Sequence, residues 1–302
     1  MKIALHDSDK TNFPNLALMK LSAWHKKQGD NVEFFIPFFA EFYDKIYSSK
    51  IFTFNPIDPY LPSDERVIKA GIGYHSHLEL DEEIEHIMPD YSIYSLDYSV
   101  GFLTRGCIRN CPWCIVPKKE GKIHANADIT EFLAHNKAVL MDNNVLACDF
   151  GIAQLDKIAK FGIKVDFNQG LDARLIDNEI AKRLAKIKWL YPVSLACDTK
   201  EQMPTIERTV KLLRANGCTP QRYFCYVLVK DIDDALERVE FLRKLNISPF
   251  CQPYRDFENN IQPTQIQKDF ARRVNHKAIF NTVPFSEYKK KNPAHEENNM
   301  VI

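Results

Sequence analysis

Three thiols carry the first chemical signal. The segment Gly106-Cys107-Ile108-Arg109-Asn110-Cys111-Pro112-Trp113-Cys114 sets its cysteines at spacing CxxxCxxC. Thiolates are soft, strong ligands for iron, and closely spaced cysteines on one loop can wrap three corners of an iron–sulfur cubane. The fourth iron then lacks a protein ligand and is open to a substrate or cofactor. Two plainer readings stand beside this one. A structural zinc site wants four closed ligands, yet there is no second CxxC and His124 is the nearest following histidine. Three buried cysteines within eight residues of a Pro-containing loop make a poor core pattern. The spacing favours a cluster.

The elements that must position this loop read as alternating strands and helices. Lys2–His6 reads as a short buried strand, 15–28 as a helix ended by Gly29, and Val32–Ile36 as a second strand, the start of a doubly wound α/β unit. Strand-like pieces follow at Lys50–Phe54 and Val67–Gly71, separated by a loop with prolines at 56, 59 and 62. Residues 78–97 read as a connector, and the acidic run Glu79–Glu85 as a solvated helix face. From Tyr98 the pattern is regular. Strands are expected near 99–104, 138–142, 164–168, 189–196, 222–229 and 247–254. Helices are expected near 127–135, 148–161, 177–186, 202–216, 232–245 and 263–274. Six strand–helix units in series imply a parallel sheet, and the cysteine loop falls directly after its first strand. A frayed polar tail follows Pro293.

Composition bounds the rest. The 302 residues carry 40 basic and 40 acidic side chains, so the net charge is zero. Residues 1–97 hold 9 basic and 16 acidic groups, a net −7 that 98–302 balance with +7. This asymmetry favours two domains. A neutral chain without a basic tail is no obvious nucleic-acid binder, although the +7 leaves action on nucleic acid open. No apolar run approaches the ~18 residues of a membrane span. The opening turns polar too soon for an export signal, so a reducing, cytoplasmic setting is expected, in which eight cysteines are not disulfides.

With CxxxCxxC at 107–114, aromatic Trp113 before the last cysteine, and six strand–helix units to about residue 285, the chain resembles the radical S-adenosylmethionine (SAM) superfamily. The resemblance implies a partial (β/α)6 TIM-like barrel over 98–285, with a tail at 286–302. It implies that Cys107, Cys111 and Cys114 hold a [4Fe-4S] cluster, that SAM chelates its open iron, and that one-electron reduction yields a 5′-deoxyadenosyl radical. A flavodoxin- or ferredoxin-type protein is the implied electron donor. Thr104-Arg105-Gly106-Cys107 and Cys114-Ile115-Val116-Pro117 look like the branch that holds cobalamin-dependent enzymes and methylthiotransferases. That branch joins a Rossmann-like domain, here 1–97, to the barrel. Its elaborations are missing: no Asp-x-His occurs, so cobalamin is not expected, and residues 1–106 contain no cysteine for a second cluster.

Family members often carry Gly-Gly-Glu after the second strand to hold the SAM amino group. Met141-Asp142-Asn143-Asn144 stands in that place, and Asp142 and Asn144 can accept from an ammonium; a capped turn is the plainer reading. After the third strand, Asn168 and Gln169 reach the strand end, and Arg174 has the fork to clamp a carboxylate. Asp198, after the fourth strand, suits ribose hydroxyls or a helix cap. Trp113 suits shielding of the cluster, and Tyr254 and Arg255 suit substrate. Lys118 and Lys119 lie beside the cysteine loop, and Lys289-Lys290-Lys291 reads as solvated surface. His75-x-His77 lacks a third ligand and reads as loop. Cys148, Cys197, Cys218, Cys225 and Cys251 read as small core residues. An iron–sulfur carrier or sensor, and a transfer-RNA-modifying enzyme of the methylthiotransferase kind, are the competing functions.

Overall fold

The computed structural model describes residues 1–218, 223–256, 259 and 261–288. Lys289–Lys291 and the segment after Pro293 lie outside them. The chain is a mixed α/β protein with parallel sheets. Strands β1 (Lys2–Asp7), β2 (Asn31–Phe34), β3 (Lys45–Ser49) and β4 (Val67–Ala70) form the first sheet, all parallel, in the order β2-β1-β3-β4. The apolar run Ile3-Ala4-Leu5 is buried on both faces of the central strand, as an internal parallel strand requires. Helix α1 (Leu16–Lys27) starts where Asn15 Oδ1 accepts from the Leu18 amide, and packs Leu18 and Leu21 on Ile3 and Leu5.

Expectation and structure part at the third strand. It runs over Lys45–Ser49, and the strand-like piece 50–54 is loop. Ser48 and Ser49 look like turn residues in sequence. They are buried in the sheet because each hydroxyl is partnered, Ser48 Oγ by His6 Nδ1 at 2.7 Å and Ser49 Oγ by Asn15 Nδ2 at 2.7 Å. Ile51 and Phe52 instead give their amides to the Asp9 carboxylate. The acidic run forms only one helical turn, α2 (Glu82–Glu85), whose Ile84 is buried while Glu85 pairs with Lys20 at 2.8 Å.

In the second half, β5 (Ser99–Gly101) is followed by a two-stranded ribbon of β6 (Thr104–Arg105) and β7 (His124–Ala125), with α3 (Val116–Lys119) in the loop between them. After α4 (Ile129–Phe132) come β8 (Lys137–Leu140), α5 (Asp149–Phe161), β9 (Lys164–Phe167), α6 (Asn178–Ala185) and the short β10 (Lys188–Trp189). These strands pair in parallel in the order β10-β9-β8-β5. Next come β11 (Val193–Ala196), α7 (Met203–Ala215), β12 (Tyr223–Val229), α8 (Ile232–Lys244), β13 (Ile247–Pro253) and α9 (Gln265–Asn275). The last three strands form a parallel sheet in chain order, and a parallel bridge between Leu171 and Leu195 joins β11 to the segment that follows β9. The single strand expected over 189–196 is split at Pro192, which has no amide hydrogen to give the ladder.

One face of these strands is covered by the helices. Leu140, Val165, Phe167, Leu195, Cys225 and Val227 pack there with Leu155, Leu184, Leu213, Val239 and Phe270. Cys197, Cys218 and Cys251 are buried in the same core, and Cys148 is half-buried. The opposite face carries Val139, Asp166, Ser194, Phe224, Tyr226 and Phe250. Among the described residues no helix is long and apolar enough to cross a membrane.

Candidate functional site

The cysteine loop is a closed excursion. The β6–β7 ribbon pairs Thr104 with Ala125 and Arg105 with His124, which brings the two ends of the loop together. Gly106 has φ +77, and a Cβ there would collide with the Lys122 carbonyl oxygen, so only glycine makes this entry. The Cys107 amide donates to the Gly121 carbonyl at 3.2 Å, and the Cys114 amide to the Cys111 carbonyl at 3.0 Å. Glu120 accepts from the Gly106 amide at 3.0 Å and from Asn143 Nδ2 at 2.8 Å, and Arg105 lies 3.5 Å from its other oxygen.

Two carboxylates tie this loop to the strand ends. Asp142, just past β8, accepts from the Thr104 amide at 2.6 Å, the Thr104 hydroxyl at 2.7 Å and the Leu103 amide at 3.2 Å. Burial pushes its carboxyl up to about 6, against the pull of these donors. Both of its oxygens accept from the chain, so Asp142 anchors the loop. Asp172, after β9, is the second anchor. It accepts from Arg109 Nε at 2.9 Å, Arg174 Nε at 2.6 Å and Asn144 Nδ2 at 3.3 Å. Burial acts on Asp172 in the opposite sense, but the two guanidinium groups hold its carboxyl below the usual range.

The three thiols are half-buried. Cys107 Sγ receives the Arg109 amide at 3.3 Å and Asn144 Nδ2 at 3.5 Å. Burial pushes the Cys111 and Cys114 thiols up; the Arg174 charge opposes this at Cys111, while Cys107 adds to it at both. Asn144 is 3% exposed, and its Oδ1 is buried with no hydrogen-bond partner among the described residues. An orphaned acceptor beside a thiol is a feature that a bound donor would satisfy.

The other expected residues fall in different states. Arg174 is exposed and pairs with Asp172, and its field reaches Cys111. Asn168 is half-buried, and its backbone carbonyl accepts from the Tyr226 hydroxyl at 2.8 Å; Gln169 is exposed. Asp198 accepts from the Leu228 amide at 3.1 Å, and burial pushes its carboxyl up. Its charge adds to the rise at Cys111 and Cys114. Trp113 is half-buried. The Arg255 guanidinium stands 4.2 Å over the Phe54 ring, from the loop after β3, and Lys230 stands 4.4 Å over the Tyr254 ring. Arg109, Glu120 and Asp172 were not singled out in the sequence. The only signal for Asp172 is its two-residue spacing to Arg174.

Among the described residues no three His, Cys, Asp or Glu side chains converge to hold one metal ion. A tetrahedral zinc site needs such convergence. A cubane binds each thiolate to a different iron, so its ligands flank a volume instead. Three thiols on one loop, with an unfilled acceptor beside the first, suit that donor set. Comparison with protein-family models and with curated proteins found no match to this chain.

Proposed function

We propose that this chain is a radical SAM enzyme in which Cys107, Cys111 and Cys114 hold a [4Fe-4S] cluster. The observation that carries this reading is the orphaned Oδ1 of Asn144 beside Cys107, on a CxxxCxxC loop anchored to the carboxyl ends of parallel strands. The chain order of β5, β8, β9, β11, β12 and β13 supports a partial (β/α)6 barrel, whose chemistry belongs at those ends. The order β2-β1-β3-β4 supports a Rossmann-like unit over 1–97.

When bound, the cluster and SAM supply a one-electron cleavage that yields a hydrogen-abstracting 5′-deoxyadenosyl radical. The residues around the loop bind, orient and shield. Asn144 Oδ1 accepts a hydrogen bond from the SAM ammonium. Arg174, already oriented by Asp172, offers its remaining donors to the SAM carboxylate. Asp198 takes a ribose hydroxyl, and Trp113 screens the loop from water. The electron comes from a flavodoxin- or ferredoxin-type donor in a reducing cytoplasm, a setting that suits eight free thiols.

The test is anaerobic reconstitution with iron and sulfide, then dithionite and SAM, with 5′-deoxyadenosine assayed by mass spectrometry. Wild type forms it, and the Cys107/Cys111/Cys114→Ala triple variant does not. A cluster whose electron paramagnetic resonance spectrum is unmoved by SAM refutes the reading and leaves an electron carrier.

A further inference from the structure

The face of the second sheet system turned away from the helices holds an acid without a partner. Asp166, on β9, is 7% exposed and has no hydrogen-bond or ion-pair partner among the described residues. Buried carboxylates are ordinarily paired. On β11, joined past the end of β9 by the Leu171–Leu195 bridge, the face away from the helices carries the small Ser194 and Ala196. Beyond it, Ser194 pairs in register with Phe224, Ala196 with Tyr226, and Tyr226 with Phe250 on β13. The three rings pack edge and face, with centroids 5.1 to 6.1 Å apart. All three are half-exposed, although they lie on the inner face of a sheet. Tyr226 leans back over the small residues, and its hydroxyl reaches the carbonyl of Asn168, two residues past Asp166. Its own ionisation feels the Asp166 charge. Tyr226 therefore links the acid to the aromatic cluster.

We infer that this face binds the substrate through a planar nitrogen heterocycle, which gives an N–H donor to Asp166 and stacks on Tyr226 and Phe250. The rings supply flat apolar area that a flexible polar chain leaves wet. The carboxylate supplies an acceptor that a plain hydrocarbon leaves unpaired. The inference extends the proposed activity to a substrate class. Its test uses neither a cluster nor turnover, so the two readings fail separately.

The experiment is isothermal titration calorimetry on the full chain, with 2-aminobenzimidazole as a planar ring bearing adjacent N–H donors and benzothiazole as a planar ring without them. The expected result is saturable binding of 2-aminobenzimidazole that weakens about tenfold or more in Asp166→Asn. Benzothiazole affinity stays the same in both proteins, and Phe250→Ala weakens both ligands. Equal affinity of 2-aminobenzimidazole for wild type and Asp166→Asn overturns the inference, as does the lack of saturable binding to wild type. Displacement of the probe by SAM also overturns it, because the face then belongs to the adenine of SAM and not to a substrate. Circular dichroism of Asp166→Asn confirms that the variant is folded.

Discussion

Replacing Asp166 by Asn should stabilise this protein at alkaline pH and leave it unchanged in acid. Burial raises the Asp166 carboxyl from 3.8 to about 6, with no donor among the described residues to oppose it. At about pH 3 and below the acid is protonated in both folded and unfolded chains, and its ionisation contributes almost nothing. Between about pH 3 and 6 the unfolded chain gives up the proton while the folded chain keeps it, so stability falls as pH rises. Above pH 6 both states are ionised and the full penalty stands. At 1.36 kcal/mol per unit, a difference of about two units is worth roughly 3 kcal/mol. Asn has the shape and neutrality of the protonated acid, so the variant loses the penalty and little else. The assay is urea unfolding at pH 3 and pH 8, followed by tryptophan fluorescence, to which Trp189, paired in register with Val165 beside Asp166, contributes. The midpoint of Asp166→Asn should lie about 1 M above wild type at pH 8 and coincide with it at pH 3. A variant no more stable than wild type at pH 8 refutes the reasoning and means that the carboxylate has a stabilising partner.

Three further outcomes bear on the cysteine loop. Gly106→Ala forces a side chain into the left-handed region and against the Lys122 carbonyl; a cost of roughly 2 kcal/mol or more should show as faster reaction of the loop thiols with a disulfide reagent. Asp172→Asn removes the charge that both Arg109 and Arg174 share. Because the arginines are part-exposed, the loss is held to about 1–2 kcal/mol, read as roughly tenfold faster iron loss to a chelator from the reconstituted protein. Asn144→Ala should keep its iron but bind SAM about tenfold more weakly, seen as a weaker SAM effect on the cluster's paramagnetic spectrum; unchanged SAM affinity refutes the role given to its Oδ1.

The strands and helices of the second half are legible in the sequence because their burial is one-sided and periodic. On β12, Tyr223, Cys225, Val227 and Val229 are buried while Phe224, Tyr226 and Leu228 between them are half-exposed. Helices such as α5 and α7 lie within one or two residues of the expected spans. Legibility fails where tertiary hydrogen bonds override composition. Lys45–Ser49 is a strand because His6 and Asn15 satisfy two serines that in isolation favour a turn. Ile51–Phe54 has the more strand-like composition, yet Asp9 captures its amides and holds it as loop.

The site divides along a related line. Cysteine spacing is a local property, so Cys107, Cys111 and Cys114 stand out in sequence. The residues that fix their loop do so across long separations: Asp172 meets Arg109 over 63 positions, and Asp142 meets Thr104 over 38. Nothing in one sequence separates a carboxylate that will face a ligand from one that will bind the backbone. Asp142 and Asp166 make the point. Each lies at or near the end of a strand, and burial raises each to about 6. Asp142 has three donors from the chain and works as an anchor. Asp166 has none from the described residues, so its burial costs stability without return unless a ligand supplies the missing donor. An unpaired acid on the face that carries Phe224, Tyr226 and Phe250 fits the ligand inferred for that face, and the stability gained by Asp166→Asn measures what holding the acid there costs the free protein.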